Sequence, residues 1–252
     1  MLDTQQVSYL MATGSDWLDG PPCISSVTAQ ELLLMQTDDP ARNAYYIPVP
    51  GRGFGYSVNP VGLSRAGRAA GRFKWQTDRL ILDFDNAYPT VVEYSHQAVA
   101  GAINGGRWSL LDEQARLLGV DRHRVVRRRL RFLAEHGVQC VGLTRESAEL
   151  GVDLLGDFAD RYTLKRRFRN SLNDLLGLAV AVTNGTDLQT GDRLLARFAR
   201  ERLAAVVDDG GVPRISFETA PAHRVNRDAK GYVNGRWRVR AGGVHAVRSV
   251  VG

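Results

Sequence analysis

Apolar positions recur at helical spacing through much of the chain, and short apolar runs fall between those stretches. Residues 5–13 carry Val7, Tyr9, Leu10 and Met11, which predicts a short amphipathic helix. GSDWLDGPP is a turn-rich break, and CISSV reads as a strand. Thr28 is placed to cap a second helix, with Glu31 three positions on and Leu32–Met35 behind it. Residues 37–79 lose periodicity and hold several prolines and glycines, interleaved with basic and aromatic residues. RLILDFDN then predicts a buried strand ending in Asp83 and Asp85, followed by a helix from Val91 to Ala102 that NGG closes.

Leu111, Ala115, Leu118, Val125, Leu130 and Leu133 predict two helices, broken near Gly119-Val120-Asp121. VQCVGLT reads as a strand and RESAELGVDLLGDFA as a helix. Leu172, Leu175, Leu176, Ala179 and Val180 fall at i, i+3, i+4, i+7 and i+8, which predicts a helix over 171–184 that Gly185 ends. TDLQT is a short strand, and DRLLARFARERLAAVV another helix. After residue 209 the chain turns Gly-rich, basic and aromatic, as a hairpin or a tail. Strands alternate with helices, so the expected class is α/β with a largely parallel sheet covered by helices.

Charge adds a candidate partner. The chain has 33 Lys+Arg against 27 Asp+Glu, and the only lysines are Lys74, Lys165 and Lys230. Its pI is about 9.6. Arginine's planar fork matches phosphate, so a nucleic acid is a plausible partner; a solvated basic surface is the plainer alternative. Cys23 and Cys140 lie far apart in apolar settings and form no zinc spacing, which fits two reduced, buried cysteines. No signal pattern opens the chain and no apolar run reaches the ~18 residues of a membrane span, so a cytoplasmic location is expected.

Four acids stand at the ends of these elements: Asp3, Glu31, Asp174 and Asp192. Folding can bring such ends to one edge of a sheet. Carboxylates gathered there repel one another, and a hard divalent cation relieves the repulsion. One or two such ions, ~3.5–4 Å apart when paired, can neutralise a phosphodiester and activate a water. Each acid also has a structural alternative as a helix cap: Asp3 and Asp192 directly, Glu31 and Asp174 through Thr28-x-x-Glu31 and Ser171-x-x-Asp174.

The segments LDTQQVSYL, SSVTAQELL and LNDLLGLAVAVTNGTDLQTGDRLLARF resemble the PIN-domain ribonucleases, above all the toxin nucleases of bacterial toxin–antitoxin pairs. In that family a strand ends in Asp-Thr and a helix opens around Val-Thr-x-x-Glu-Leu. An Asn-Asp follows at the head of a helix, and the last strand ends in Thr-x-Asp. Asp3, Glu31, Asp174 and Asp192 match the four acids, and Thr190 the small hydroxyl residue. Asp187 fits less well, because it precedes the apolar residue of the last strand. The resemblance covers residues 1–36 and about 130–200. It departs at Gln5, where the family has Asn, at the short Met1-Leu2 run, and in a long insertion over 37–110.

The resemblance implies a three-layer α/β/α nuclease domain over 1–205, with an irregular insertion over 37–110 and a basic extension over 206–252. It implies hydrolysis of RNA with Mg2+ or Mn2+, leaving 5′-phosphate and 3′-hydroxyl ends. The four acids would hold the metal and be catalytic. Thr4, Asn173 and Thr190 would orient them or the scissile phosphate, and an antitoxin protein and a homodimer partner are further expectations.

Two other readings stay open. Residues 113–131 have a helix-turn-helix look, with Ala115, Gly119 and Val125 at the small, turn and buried positions, which would suit a non-enzymatic nucleic-acid-binding regulator. Otherwise this is a helix pair with a solvated arginine face, and Arg122, Arg124, Arg127, Arg128 and Arg129 are candidates to hold an RNA backbone. Asp83 and Asp85 resemble a phosphatase-like Asp-x-Asp strand end, or simply cap a turn. Gly51–Gly55 lacks the residues of a P-loop and reads as a loop. Trp75, Trp108 and Trp237 lie beside Arg or Lys and could stack on bases, though packing is the commoner role.

Overall fold

The computed structural model describes residues 1–14, 22–49, 73–208 and 210–217, and the backbone of 236–240. The Gly51–Gly55 loop and the side chain of Trp237 lie outside the described residues. The fold is mixed α/β: eight helices and several small sheets among the described residues. The helices are α1 (Thr4–Thr13), α2 (Ser26–Leu32), α3 (His96–Asn104), α4 (Trp108–Ala115), α5 (Val120–Glu135), α6 (Arg145–Ala159), α7 (Phe168–Thr183) and α8 (Arg193–Leu203). The strands are β1 (Cys23–Ser25), β2 (Arg79–Asp83), β3 (Val91–Tyr94), β4 (Gln139–Val141), β5 (Leu188–Gln189), β6 (Val206–Asp208), β7 (Arg214–Ser216) and β8 (Arg236–Arg240).

The first three residues join two of these sheets. β1 pairs in parallel with β4, while β5 and β6 flank β7 antiparallel. Leu2 bridges in parallel to both Ile24 and Gln189. Its N–H donates to the Cys23 carbonyl at 2.8 Å, Asp3 N–H to the Gln189 carbonyl at 3.1 Å, and Gln189 N–H to the Met1 carbonyl at 2.8 Å. The short Met1-Leu2 run thus lies between β1 and β5 and delivers Asp3 to their ends. β6 and β7 extend this sheet beyond β5. A separate sheet sets β2 between β3, antiparallel, and β8, parallel.

Several local expectations shift. Val91–Tyr94 is a strand, and the helix begins only at His96. β-Branched Val91 and Val92 pair against β2, and Ser95, at φ 63°, turns the chain out of the sheet. Asp78 takes over the capping of α3, accepting from the N–H groups of Gln97 and Ala98 at 2.9 and 3.0 Å. The stretch 79–104 is therefore organised as β2, β3 and α3. The cap of α2 is Ser25, whose hydroxyl accepts from Thr28 N–H; Thr28 lies inside the helix. α7 begins at Phe168, so neither Ser171 nor Asp174 belongs to its cap.

α7 is the central helix of one apolar cluster. Ser171 to Val182 are buried at most positions, as expected of a helix that is apolar on nearly all sides. α6 packs closely on it at Gly151, where a β-carbon would stand 2.6 Å from Leu176 Cδ2. A second cluster gathers α2, α3, α4 and α5 around Ile24, Leu32, Val99 and Leu133. The break between α4 and α5 falls at Gly119, whose φ of 82° favours glycine. Cys140 is buried and Cys23 half-buried, both free. Among the described residues no helix is long and apolar enough to cross a membrane.

Candidate active site

The four acids are joined into a ring by side-chain contacts, one backbone N–H and two pairs of chain neighbours. Glu31 sits in the last turn of α2. Thr4 Oγ1 donates to its Oε2, and Asn173 Nδ2 donates to its Oε1 at 2.8 Å. Asn173 is buried on α7 and also bonded to Gln36. The next residue, Asp174, accepts from Lys165 Nζ at 2.6 Å. The same ammonium stands 2.8 Å from Asp192 Oδ2. Asp192 N–H donates to the buried Thr190 hydroxyl at 3.0 Å, and that hydroxyl is near enough to Asp3 to lower its carboxyl against the effect of burial. Asp3 adjoins Thr4, which closes the ring.

Capping and site membership coexist because a carboxylate has two oxygens. Asp3 Oδ1 accepts from Gln6 N–H at 2.7 Å and caps α1, while Oδ2 faces Gly191 N–H at 3.3 Å. Asp192 Oδ1 caps α8 through Leu194 and Leu195, while Oδ2 meets Lys165. Among the described residues Glu31 and Asp174 cap no helix; the N-caps of α2 and α7 are Ser25 and Arg167, so the capping-box alternative fails for both. Asp187 lies elsewhere: its carbonyl accepts from the N-terminal ammonium and its carboxylate pairs with Arg214. Gln5 lies at the edge of the ring, its Oε1 2.7 Å from where a β-carbon on Gly191 would stand.

The acids divide electrostatically. Burial pushes the Asp174 carboxyl up to about 6, the nearby Asp192 and Glu31 charges add to it, and Lys165 opposes them. Burial also raises Asp192, but Lys165 and the helix N–H groups outweigh it and hold that carboxyl below its ordinary value. The two partners of one ammonium therefore shift in opposite directions. Asp192 accepts helix N–H groups through Oδ1, whereas Asp174 faces two like charges. Asp3 is raised, chiefly by burial.

As placed, no three His, Cys, Asp or Glu side chains among the described residues form a metal-holding group. Lys165 stands between Asp174 and Asp192, and Thr4 and Asn173 engage Glu31. The donor chemistry nevertheless suits a hard divalent cation: carboxylate oxygens come from four elements, and those of Asp192 and Glu31 lie close enough to add to the effect of burial on Asp174.

A cleft of about 790 Å3 opens beside Glu31, lined by Arg122, Arg167, Phe168 and Arg169 among others. Of the α5 arginines, Arg122 lines it. Arg124 is exposed and pairs with Asp121, and Arg128 is exposed. Arg129 donates to the Leu32 carbonyl at 2.6 Å and so ties α5 to the end of α2. The helix pair over 113–131 buries Ala115, Val126 and Leu130 in the core, while Val125, expected at the buried position, is half-buried. Asp83 Oδ1 accepts from Asp85 N–H at 3.3 Å, the local turn expected of a strand end. Trp75 is exposed with Lys74 and Arg79 near its ring, and Trp108 packs on the second cluster.

Sequence reasoning missed a buried relay. Ser26 Oγ lies 2.9 Å from His96 Nδ1, and His96 Nε2 lies 2.8 Å from Glu93 Oε2. Arg169 Nη2 donates to the same Glu93 oxygen at 3.0 Å. Ser26, Glu93 and His96 are at most 1% exposed, so no substrate reaches them, and the line binds α2, β3, α3 and α7 together. Glu93 and His96, three apart at a strand–helix junction, were the signal available. Lys165 offered none beyond being one of three lysines. No family model matches this chain, and neither does any curated protein or solved structure.

Proposed function

We propose that the chain is a PIN-like endoribonuclease that hydrolyses RNA phosphodiester bonds with Mg2+ or Mn2+. The observation that carries this is the ring joining Asp3, Glu31, Asp174 and Asp192 through Thr4, Thr190, Lys165 and Asn173. The finer three-layer α/β/α reading draws support from the parallel neighbours β4, β1, Leu2 and β5, with the first acid at the middle of that run.

Asp3, Glu31, Asp174 and Asp192 would hold the cation directly or through water. When bound, it supplies charge neutralisation at the phosphodiester and lowers the pKa of the attacking water. The protein's own part is positional. Thr4 and Asn173 fix both oxygens of Glu31, and Thr190 fixes Asp3 relative to Asp192. Burial and the charges of Asp192 and Glu31 raise the Asp174 carboxyl without a cation, and a bound cation would hold it ionised. Water oxygen bonds to phosphorus, the bond to the 3′ oxygen breaks, and that oxygen leaves as a hydroxyl.

Asp174→Asn is expected to abolish Mg2+- or Mn2+-dependent cleavage of RNA while the melting temperature stays near wild type. Gel assays of a labelled RNA, with a chelator control, read this. Full activity in the variant sinks the proposal. The toxin role and its antitoxin partner rest on the sequence resemblance. They predict growth arrest on expression, relieved by a co-expressed neighbouring protein, and normal growth with abundant folded protein counts against them.

A further inference from the structure

The cleft beside Glu31 differs in chemistry from the acid ring. Its walls come from separate parts of the chain: Gln36 to Pro40 after α2, Pro89 before β3, Arg122 on α5, and residues 167–170 at the start of α7. At about 790 Å3 it falls within the ~300–1,000 Å3 typical of ligand sites. Glu31 belongs to both cleft and ring, so whatever fills the cleft runs up to the acids.

Two features suit a nucleotide strand. The first is an aromatic platform. Phe168 lines the cleft, and its ring is stacked on Tyr88 at 4.6 Å and 15°, with Phe84 edge-on at 5.4 Å. Packed against both rings, it is held in place before any ligand arrives. The second is cationic. Arg122 is exposed on α5, and Arg167 precedes α7, a helix that no side chain caps. Among the described residues Arg167 pairs with Asp38, at 3.4 Å, with the two side chains 73% and 90% exposed. Such a pair is worth little and yields readily to a phosphate. Arg169 is already engaged by Glu93 and the Pro40 carbonyl, so it shapes the wall.

Charge along a groove with an aromatic face is how single strands are held, because phosphates track the cations and an unpaired base stacks. We propose that this cleft binds single-stranded RNA, with phosphates on Arg122 and Arg167 and one unpaired base on Phe168. It thereby feeds the strand to the acid ring and selects unpaired over duplex substrate. The inference rests on the nuclease reading for the identity of the strand as RNA.

The test is fluorescence anisotropy with the full chain in EDTA, using a labelled 12-nucleotide RNA, its duplex form and the same sequence as DNA. Phe168→Leu is expected to weaken binding of the single strand by about 5- to 150-fold, the range of one lost stacked base, and Phe168→Trp to restore it. Arg122→Ala and Arg167→Ala should each weaken binding and flatten its salt dependence by roughly 0.7 in log–log slope. The duplex should bind more weakly than the single strand. Wild-type affinity and slope in these folded variants overturn the proposal, as does equal binding of duplex or tighter binding of DNA. Loss of single-strand binding in the variants without any cation-dependent cleavage by wild type leaves the cleft standing and removes the nuclease reading. Asp174-dependent cleavage with cleft variants that bind and cut like wild type does the reverse.

Discussion

Glu93→Gln is expected to destabilise the fold by about 3–5 kcal/mol, the range for removing one partner of a buried ion pair. Glu93 is 1% exposed, and its Oε2 accepts from both Arg169 and His96. Glutamine keeps the shape but removes the charge. The Arg169 guanidinium, only 13% exposed, is then left beside a neutral amide. Glu93 Oε1 and Arg169 Nε have no protein partner among the described residues, so the network has little reserve with which to absorb the loss. Urea unfolding with Arg169→Leu and the double variant makes a cycle. The double should cost clearly less than the sum, because the charges then leave together. Additive costs would show that the pair is not a unit.

The same pair sets a pH dependence. Burial alone would raise the Glu93 carboxyl, but Arg169 and His96 outweigh it and hold it below its ordinary value. A depressed folded value means that the unfolded chain takes up the proton first. The stabilisation is therefore present above the unfolded value of about 4.5 and is lost as pH falls through the folded one. Wild type should lose its melting-temperature advantage over Glu93→Gln as the pH falls below ~4.5.

How much of this was legible in the sequence follows from which interactions are local. The helices with strong periodicity stand where the pattern puts them, because burial of one face decides them: α6 and the pair α4–α5 broken at Gly119; α8 follows suit only to Leu203, since Val206 and Val207, expected to continue it, pair in β6. Val91–Tyr94 fails because its identity as a strand depends on β2, a partner the local pattern does not reveal. The α2 cap moves from Thr28 to Ser25 because β1 stops after three residues. Four acids could be singled out by their settings. The resemblance also placed Thr4, Asn173 and Thr190 beside them, but nothing in the sequence marked Lys165, whose ammonium joins Asp174 to Asp192. The cleft was less legible still. It picks Arg122 from the six arginines of α5, and the face it lies on is set by the burial of Val126, Leu130 and Leu133 on the same helix.

Lys165 turns that connection into a measurable competition. Its ammonium is 2.6 Å from Asp174 and 2.8 Å from Asp192, so a divalent cation entering the ring must displace it or share its carboxylates. Both carboxylates hold the ammonium protonated, raising its pKa despite the opposing effect of burial. Lys165→Met removes the competitor and leaves Asp174 and Asp192 uncompensated. Affinity for Mn2+, read by calorimetry, should rise tenfold or more. Without cation the variant should be less stable than wild type, because the repulsion that already raises Asp174 is no longer offset. Saturating cation should reverse that order, since a ligand at 100 times its Kd adds about 2.7 kcal/mol and the variant reaches that ratio at lower concentration. Unchanged affinity in the folded variant removes Lys165 as a competitor. Tighter cation binding accompanied by loss of RNA cleavage assigns the ammonium a second task, on the phosphodiester itself, because the ring would then be loaded and still idle.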